Sequence, residues 1–302
     1  MTGPSQPPQG PAPLVPVLAV VGVGLIGGSF AAALRDSASV GRVLGVGRDP
    51  ASLARAHSLG LIDEIVTLDE AARRADLIFL ATPVGATEDL LSSMLPELRP
   101  EALITDAGST KLNVVAAARA ALGTRVHQFV PGHPIAGAEK TGPEASQASL
   151  YRGRTVVLTP LPENSSASKA YLTRVWEACG ARVMAMEADT HDTVLASVSH
   201  LPHFLSAVFM WQVATAVDSD LRLALAGSGF RDFTRIAAGS PEVWRDIFLA
   251  NRSAVLRELQ EVKAALSQAE LALENAEGED LRDFLERAAL ARRFWGSRSG
   301  LT

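Results

Sequence analysis

The sequence predicts an α/β domain with a mainly parallel, doubly wound sheet, followed by an all-α domain. Short apolar runs rich in β-branched residues alternate with helical segments as far as residue 187, and a glycine-rich turn follows the first run. Beyond residue 187 the pattern changes to long helical stretches without a convincing strand. We therefore divide the 302 residues into a disordered Pro-rich tail (1–14), an α/β domain (15–187) and an all-helical domain (188–302).

The strands of the first domain are predicted from continuous apolar runs, which are typical of buried parallel strands. Helical crossovers then connect neighbouring strands. The main strands are predicted at Val17–Val21, Arg42–Val46, Leu77–Ala81, Leu103–Asp106 and Arg125–Val130, with helices near Gly27–Arg35, Ala51–Ser58 and Leu112–Leu122. Two further strands, at Thr155–Thr159 and Arg182–Met186, complete the domain.

The second domain is predicted to consist of helices. They lie at about Asp189–Val217, Leu221–Leu225, Pro241–Ala276 and Leu281–Arg293. The third begins with Ser240 as a cap and a proline at the first helical position. A helix of this length in a small domain is typical of a subunit interface, so we expect a homodimer held mainly by the C-terminal helices.

Composition and charge argue against several classes of protein. With 47% hydrophobic residues and a net charge of −5, the chain can bury a core and lacks the basic excess of a nucleic-acid-binding protein. The single cysteine, Cys179, fits a reducing cytoplasm. Thr2–Pro13 has no positive charge or apolar run, so we expect no signal peptide, and apolar runs elsewhere are shorter than a membrane span of about 20 residues. We expect a soluble cytoplasmic protein with neither nucleic acid nor membrane as partner.

A glycine-rich turn after the first strand reads G-V-G-L-I-G. Gly22 permits the tight turn, Gly24 lets the backbone approach a pyrophosphate, and Gly27 lets helix and strand pack closely. The N-terminus of the helix that follows attracts the phosphate charge, and Leu25 and Ile26 of the turn are further candidate cofactor-binding residues. Between a strand and a helix this pattern predicts a dinucleotide-binding Rossmann domain; the alternative is that the glycines serve packing alone.

The residues after the second strand decide between NAD and NADP. An acidic residue about 20 positions beyond the glycines bonds the ribose 2′-hydroxyl of NAD. Gly47 stands there instead and Arg48 follows, which leaves room for a 2′-phosphate and a guanidinium to pair with it. We therefore expect NADP rather than NAD. The alternatives are that Asp49 supports NAD binding or that Arg48 is a solvated surface charge.

Two polar motifs follow predicted strands, at the edge where open α/β sheets bind ligands. D-A-G-S-T-K follows the fourth strand and contains Ser109, and G-H-P-I-A-G-A-E follows the fifth and contains His133. A histidine there can accept a proton near neutral pH. The alternatives are a turn role for His133 beside Pro134 and a helix-capping role for Ser109.

A group of histidines begins the helical domain. His191, His200 and His203 fall within a short stretch, and the last two share one helix face. A metal site is the alternative to a substrate or structural role. Because no cysteine lies among these histidines, we expect no metal.

A basic motif follows further along the helical domain. Arg231 and Arg235 are four residues apart, so on one helix they face the same side and can hold a dianion. The alternative is a solvated basic face paired with Asp232 and Asp246. Trp244 lies just beyond.

Taken together, these motifs resemble those of the prephenate dehydrogenase family. The segments G-V-G-L-I-G-G-S, A-T-P-V, D-A-G-S-T-K, G-H-P-I-A-G-A-E-K-T-G, S-H-L-P-H and G-F-R-D-F-T-R-I-A follow the family's order and cover Val17 to about Arg257. The combination is far more specific than the glycine turn alone. The resemblance implies a Rossmann domain, a helical dimerisation and substrate domain, and oxidative decarboxylation of prephenate to 4-hydroxyphenylpyruvate with hydride transfer to NAD(P).

The resemblance also implies roles for individual residues. His133 matches the histidine that takes the proton of the substrate's 4-hydroxyl, Ser109 the serine that supports it, and Arg235 the arginine that binds a substrate carboxylate. Further matches line the substrate pocket, and these are His203, His200, His191 and Glu139, with Arg231 and Trp244 contributed from across the dimer. Two more, Thr82 and Pro83, match residues that contact the cofactor. Family members usually have lysine in place of Arg231, and many have an acidic residue in place of Gly47.

Three other functions share part of this pattern. An arogenate (cyclohexadienyl) dehydrogenase uses the same residues on the amino-acid analogue of prephenate, and the sequence does not distinguish the two. A β-hydroxyacid dehydrogenase shares the Rossmann start and a helical second domain, but is expected to rely on a helical lysine. A non-catalytic NADP-binding protein needs the glycine turn but not His133, Ser109 and Arg235 together. We therefore expect an enzyme of tyrosine biosynthesis.

Overall fold

The computed structural model describes residues 12–137 and 140–299. Its elements form two compact units, one ending at residue 252 and the other beginning at residue 253. Most of the predicted disordered tail lies outside the described residues, and the predicted domain boundary after residue 187 stays a prediction.

The first sheet has five strands, all parallel, in the order β3-β2-β1-β4-β5. From β1 the chain adds β2 and β3 on one side of that strand and then adds β4 and β5 on the other side. The strand order therefore reverses between β1 and β4, which is the topological switch point of the sheet. Ligands of open α/β sheets bind at such a point, outside the carboxyl ends of the strands. The strands are β1 (Val15–Val21), β2 (Val40–Val46), β3 (Glu64–Ile65), β4 (Leu77–Leu80) and β5 (Leu103–Asp106).

Helices cover both faces of this sheet. Alternate residues of β1 enter different apolar clusters, Leu18 and Val20 on one face and Ala19 and Val21 on the other, because side chains of a strand alternate. The first cluster also contains Trp176. The helices are α1 (Leu25–Asp36), α2 (Pro50–Ser58), α3 (Leu68–Arg74), α4 (Thr87–Met94), α5 (Leu112–Leu122) and α6 (Ser166–Ala178). This doubly wound, mainly parallel architecture confirms the predicted fold class.

A second, three-stranded sheet follows the first. It consists of β6 (Gly132–Pro134), β7 (Thr155–Leu158) and β8 (Arg182–Ala185), with β6 antiparallel and β8 parallel to β7. His133 therefore lies on a strand, opposite Val157, and not in a loop after the fifth strand.

The predicted strand at Arg125–Val130 is wrong. Residues Gly123–Gln128 form a 3₁₀ helix, and only Phe129 makes a β-bridge, to Ile104. Polar side chains explain this, because Gln128 Nε2 donates to the Ala102 carbonyl at 2.6 Å and Arg125 to the Leu98 carbonyl at 2.7 Å. These contacts hold the segment as a turn.

The helical part that follows has the elements α7 (Ala188–Leu195), α8 (Leu201–Ala214), α9 (Ser219–Ala224), α10 (Ser228–Thr234) and α11 (Pro241–Ala250). A five-residue π turn, Ala196–His200, joins α7 to α8. Pro202 accounts for it, because a proline inside a helix cannot donate to the carbonyl four residues earlier and its ring crowds that carbonyl.

The stretch Ala188–Ala214 is long and apolar enough to cross a membrane, by length and composition. The expectation that no stretch reaches this length is therefore wrong by that criterion. Core helices of soluble proteins pass the same test, so one such stretch is weak support for a membrane span. It also carries His191, Asp192 and His200, whose side chains are almost completely buried.

The predicted helix Pro241–Ala276 is two helices. The first, α11, ends at Ala250, and α12 (Arg252–Glu274) follows after Asn251. The second compact unit contains most of α12 and a further helix, α13 (Gly278–Ser299), with Ala276 in the left-handed region at φ 54° in the turn between them. The helix is interrupted at Asn251, whose buried side chain makes hydrogen bonds to Asp192 and His200.

Candidate active site

Only glycine fits the turn after β1. Gly22 has φ +94°, and a Cβ there would lie 2.5 Å from the Ala81 carbonyl oxygen. A Cβ on Gly27 would lie 2.1 Å from the Gly22 carbonyl oxygen. The turn therefore brings α1 against β1 and β4, and Leu25 and Ile26 form the first residues of α1.

The space around this turn fits a dinucleotide. A Cβ added to Gly24 would meet no atom within 4 Å, and no side chain caps the N-terminus of α1. Open space therefore adjoins the backbone N–H groups of the first helical turn, where a pyrophosphate binds. Thr82 lies beside Gly22, and Pro83 follows it at the end of β4. A cleft of about 640 Å³ at this place is lined by Gly22, Val23, Gly24, Gly47, Arg48, Asp49, Pro50, Ser52, Leu53 and Ala81.

The far end of the cleft holds the residues that follow β2. Asp49 caps α2, with its two carboxylate oxygens accepting from the backbone N–H groups of Ala51 and Ser52, each at 3.1 Å. Gly47 and Arg48 are exposed in the lining of the cleft. The carboxylate of Asp49 is thus directed to the helix, whereas the guanidinium of Arg48 lies at the surface.

A buried ion pair fixes the loop between β5 and α5 to β6. The ammonium group of Lys111 contacts the carboxylate of Asp106 and donates to the Gly132 carbonyl at 2.7 Å, and both charged side chains are buried. Asp106 also accepts from the backbone N–H groups of Gly108 at 2.8 Å and Gly132 at 2.9 Å. Burial lowers the pKa of Lys111, which Asp106 and Asp192 oppose. The residue before His133 is therefore held from both its N–H and its carbonyl.

His133 belongs to a chain of hydrogen bonds. Its Nδ1 lies 2.9 Å from Nε2 of His191, and Nδ1 of His191 lies 2.8 Å from Oδ1 of Asp192. Asp192 in turn accepts from the backbone N–H groups of Lys111 at 2.7 Å and Leu112 at 2.9 Å, at the start of α5. Strand β6, helix α7 and helix α5 thus meet at one buried polar cluster.

His133 is uncharged at neutral pH. Burial lowers its pKa well below the ordinary 6.5, and the neighbouring His191, Lys111 and His200 lower it further. For Asp192, burial acts to raise the pKa, but the hydrogen bonds from His191 and from the backbone of Leu112 and Lys111 bring it below its ordinary value. A neutral imidazole next to an ionised carboxylate can accept a proton.

His200 lies in the same cluster. Its Nδ1 is 3.1 Å from Nδ2 of Asn251, which donates to the Asp192 carbonyl at 2.7 Å. Burial lowers the pKa of His200 to about 4, against the opposing effects of Asp192 and the backbone of Ser109. The half-buried Ser109 thus has its backbone near His200. The Nε2 atom of His200 is buried and has no hydrogen-bond partner in the described part of the chain.

An aromatic group borders these histidines. His203 stacks on Trp244 with ring centroids 3.7 Å apart, and His200 lies 6.4 Å from the same indole. Nδ1 of His203 lies 2.9 Å from the Ser199 carbonyl. Burial lowers the pKa of His203, the Ser199 carbonyl opposes this, and the charge of Arg235 adds to the lowering.

The structure places Arg231 and Arg235 differently from the sequence prediction. Arg231 lies in α10, whereas Arg235 begins a 3₁₀ turn, Arg235–Ala238, so the two are not on one regular helix as the sequence predicts. Arg231 is exposed. Glu139 lies outside the described residues.

The polar cluster contains four residues that were not predicted as site residues: Asp106, Lys111, Asp192 and Asn251. The first two were visible as the ends of the D-A-G-S-T-K motif, and Asp192 stands directly after His191. No motif in the sequence marks Asn251 as a site residue, because its role depends on a break inside what the sequence predicts as one helix. Among the described residues no group of three or more His, Cys, Asp or Glu side chains is arranged to hold a metal ion.

A Rossmann-type dinucleotide site together with a buried, uncharged histidine defines a nicotinamide-dependent dehydrogenase. Residues 30–185 match the family model for the nucleotide-binding domain of prephenate dehydrogenase, and residues 187–287 match that for its dimerization domain. The chain therefore belongs to the prephenate dehydrogenase family.

Individual relatives agree with this assignment. The chain is 35% identical over 280 residues to the cyclohexadienyl dehydrogenase of Zymomonas mobilis, which covers 91% of this chain and 94% of the relative. The crystal structure of A. aeolicus prephenate dehydrogenase with hydroxyphenyl propionate and NAD+ matches with a TM-score of 0.86 at 35% identity, covering 92% and 97% of the two chains. Synechocystis arogenate dehydrogenase matches with a TM-score of 0.79 at 30% identity, covering 92% and 99%.

Proposed function

We propose that this chain oxidises and decarboxylates prephenate to 4-hydroxyphenylpyruvate in tyrosine biosynthesis, with NADP as the preferred cofactor. The observation that carries the proposal is the buried, uncharged His133, held on β6 and bonded to His191, in a chain of this family. Such a histidine is suited to accept the proton of a hydroxyl group at the carbon that is being oxidised.

His133 takes the proton of the 4-hydroxyl as the carbon–hydrogen bond at C4 breaks. A nicotinamide cofactor held in the cleft lined by Gly22, Gly24 and Arg48 would supply the acceptor for the hydride. The ring carboxylate then leaves as carbon dioxide, its electron pair makes the ring aromatic, and the oxygen at C4 takes the proton back from His133. Ser109 supports the hydroxyl and His133. The reaction therefore needs no net proton, and the protein supplies positioning and reversible proton transfer.

Arg235 binds a carboxylate of the substrate. Its charge lowers the pKa of His203, which stacks on Trp244, and in this proposal the three side chains form one wall of the pocket. His200 and His191 form the wall next to His133. Arg231 completes the pocket in this proposal, from across the dimer.

A direct assay tests the proposed reaction. We expect absorbance at the wavelength of the reduced cofactor to rise fastest with prephenate and NADP, and 4-hydroxyphenylpyruvate to accumulate with equal stoichiometry. A higher kcat/KM with arogenate would assign the chain to the arogenate dehydrogenases instead, in line with its similarity to the Synechocystis enzyme. Turnover of neither compound with either cofactor would contradict the proposal.

The cofactor preference is proposed from Gly47 and Arg48. The Asp49 carboxylate caps α2, and Arg48 is the exposed cation in the cleft that is suited to a 2′-phosphate. We expect Arg48→Ala to raise KM for NADP by about 10- to 150-fold, since a charge-assisted hydrogen bond is worth about 1.5–3 kcal/mol. KM for NAD should change by less than about twofold.

The matched variant is Gly47→Asp, which supplies the acidic residue that NAD uses. A Cβ at Gly47 lies 3.3 Å from a terminal methyl of Leu53, which can move by a few tenths of an ångström. We expect this variant to lower KM for NAD and to raise it for NADP. Equal losses with both cofactors in Arg48→Ala would contradict the assignment of Arg48 to the 2′-phosphate.

We also propose a cytoplasmic homodimer, formed through the C-terminal helices without a membrane or nucleic acid. The second family model is that of a dimerization domain. Large apolar side chains are exposed on the helices of that region, including Val198, Val208, Phe209, Trp211, Leu221, Leu266, Leu273 and Phe284. In each of the two units, apolar side chains exposed in this way are covered when a dimer forms. Sedimentation at the mass of a single chain would contradict the dimer.

A further inference from the structure

In the hydrogen bonds that link Asp192, His191 and His133, each donor and each acceptor can be assigned. Asp192 is ionised, because its carboxylate accepts hydrogen bonds from two backbone N–H groups and from His191. An ionised carboxylate can only accept, so Nδ1 of His191 carries a hydrogen and donates it to Asp192. In neutral His191 the other nitrogen, Nε2, then has a lone pair.

This lone pair determines the tautomer of His133. Nε2 of His191 faces Nδ1 of His133 at 2.9 Å and can only accept, so Nδ1 of His133 must donate. In neutral His133 the remaining nitrogen, Nε2, is therefore unprotonated. The tautomers follow from the hydrogen-bond network, since donors and acceptors must alternate along it.

We propose that His191 and Asp192 are positioning residues that hold His133 in the tautomer with Nε2 unprotonated, ready to accept the substrate's hydroxyl proton. This inference rests on the proposed function. When His133 becomes protonated, the positive charge is stabilised through His191 by the carboxylate of Asp192. The arrangement resembles in principle a serine–histidine–aspartate triad, in which a buried carboxylate orients a histidine and stabilises its protonated form.

Among the described residues around these hydrogen bonds, Asp192 is the negative charge that is not neutralised by a neighbouring cation. Lys111 and Asp106, from the loop before α5, neutralise each other as a buried pair. His200 contributes a ring nitrogen to Asn251, which donates to the backbone carbonyl of Asp192.

Asp192 has a second function that keeps it in place. It accepts from the N–H groups of Lys111 and Leu112, which lie 81 and 80 residues away in the sequence, and so caps α5 from helix α7. No side chain of α5 itself supplies this cap. The carboxylate that orients His191 is therefore fixed by a helix N-terminus.

The tautomer can be measured without substrate. We would record ¹⁵N shifts of the protein labelled at histidine, near neutral pH, and assign His133 by its loss in His133→Asn. The expected result is a protonated Nδ1 and an unprotonated Nε2. In Asp192→Asn, the amide can donate to His191, so both tautomers should reverse or mix. Asp189→Asn, an exposed carboxylate on the same helix, is the matched control and should leave the spectrum unchanged.

Kinetics provide the second measurement. We expect kcat of Asp192→Asn to fall by about 10- to 100-fold, the range known for partners that orient metal-bound histidines, with KM and cofactor Kd within about threefold. Because Asp192→Asn also weakens the cap of α5, His191→Phe serves as a second variant that leaves the cap in place and should lower kcat in the same way.

Two outcomes overturn the inference: a His133 with Nε2 protonated in the unaltered protein, or a folded Asp192→Asn or His191→Phe with kcat within about threefold of the parent. Failure of the proposed function is recognised separately. In that case the tautomers would be as expected, but neither prephenate nor arogenate would be oxidised.

Discussion

Replacing His133 by asparagine is expected to lower kcat by about 10²- to 10⁴-fold, the range that a positioned general base contributes. Asparagine is close in shape, and its amide can keep the hydrogen bond to His191, but it does not accept a proton at neutral pH. Because the glycine turn is formed by other residues, Kd for NADP should remain within about twofold. Activity within about tenfold of the parent would show that His133 is not the proton acceptor.

The pH dependence provides a second check on His133. A general base is active when it is unprotonated, and burial lowers the pKa of His133 well below 6.5. The rate should therefore persist as pH falls through 6.5 and decline only at lower pH. An acid limb of kcat/KM centred at or above 6.5 would contradict this assignment. His127→Asn, at an exposed histidine outside the site, serves as the control.

The cofactor half of the site was predictable from the sequence because it is local. The glycine turn, the strand before it and the helix after it lie within one short segment, and Gly22 and Gly27 are each required by a close backbone contact. The substrate half is different. His133 and His191 are 58 residues apart, and Asn251 is 59 residues from Asp192. Their proximity depends on the packing of α7 and α11, which motif spacing does not reveal.

The errors in the fold have a common cause. The predicted strand at Arg125–Val130 and the predicted long helix at Pro241–Ala276 both have the right apolar pattern for their length. In each, a polar side chain with buried partners decided the outcome: Gln128 bonds the Ala102 carbonyl, and Asn251 bonds the Asp192 carbonyl. Periodicity detects apolar faces, whereas such hydrogen bonds are specified by residues far away in the sequence.

Loss of the Lys111 ammonium group is expected to have the largest effect on stability. In Lys111→Met the Asp106 carboxylate stays buried without its cation, and Gly132 loses the donor to its carbonyl. Breaking a buried pair by removing one partner costs about 3–5 kcal/mol of the free energy of unfolding. The urea midpoint should fall, and kcat with it, because Gly132, the residue before His133, is then held only through its N–H group.

Two comparisons make this a test of the buried charge and not of lysine as such. Arg119→Met removes one partner of the exposed pair with Glu163, and should cost less than about 1 kcal/mol. The double variant Asp106→Asn/Lys111→Met removes both charges, and should be more stable than Lys111→Met alone because no uncompensated carboxylate remains. If Lys111→Met and Arg119→Met unfold at the same urea concentration, the pair between Asp106 and Lys111 does not hold β6 in place.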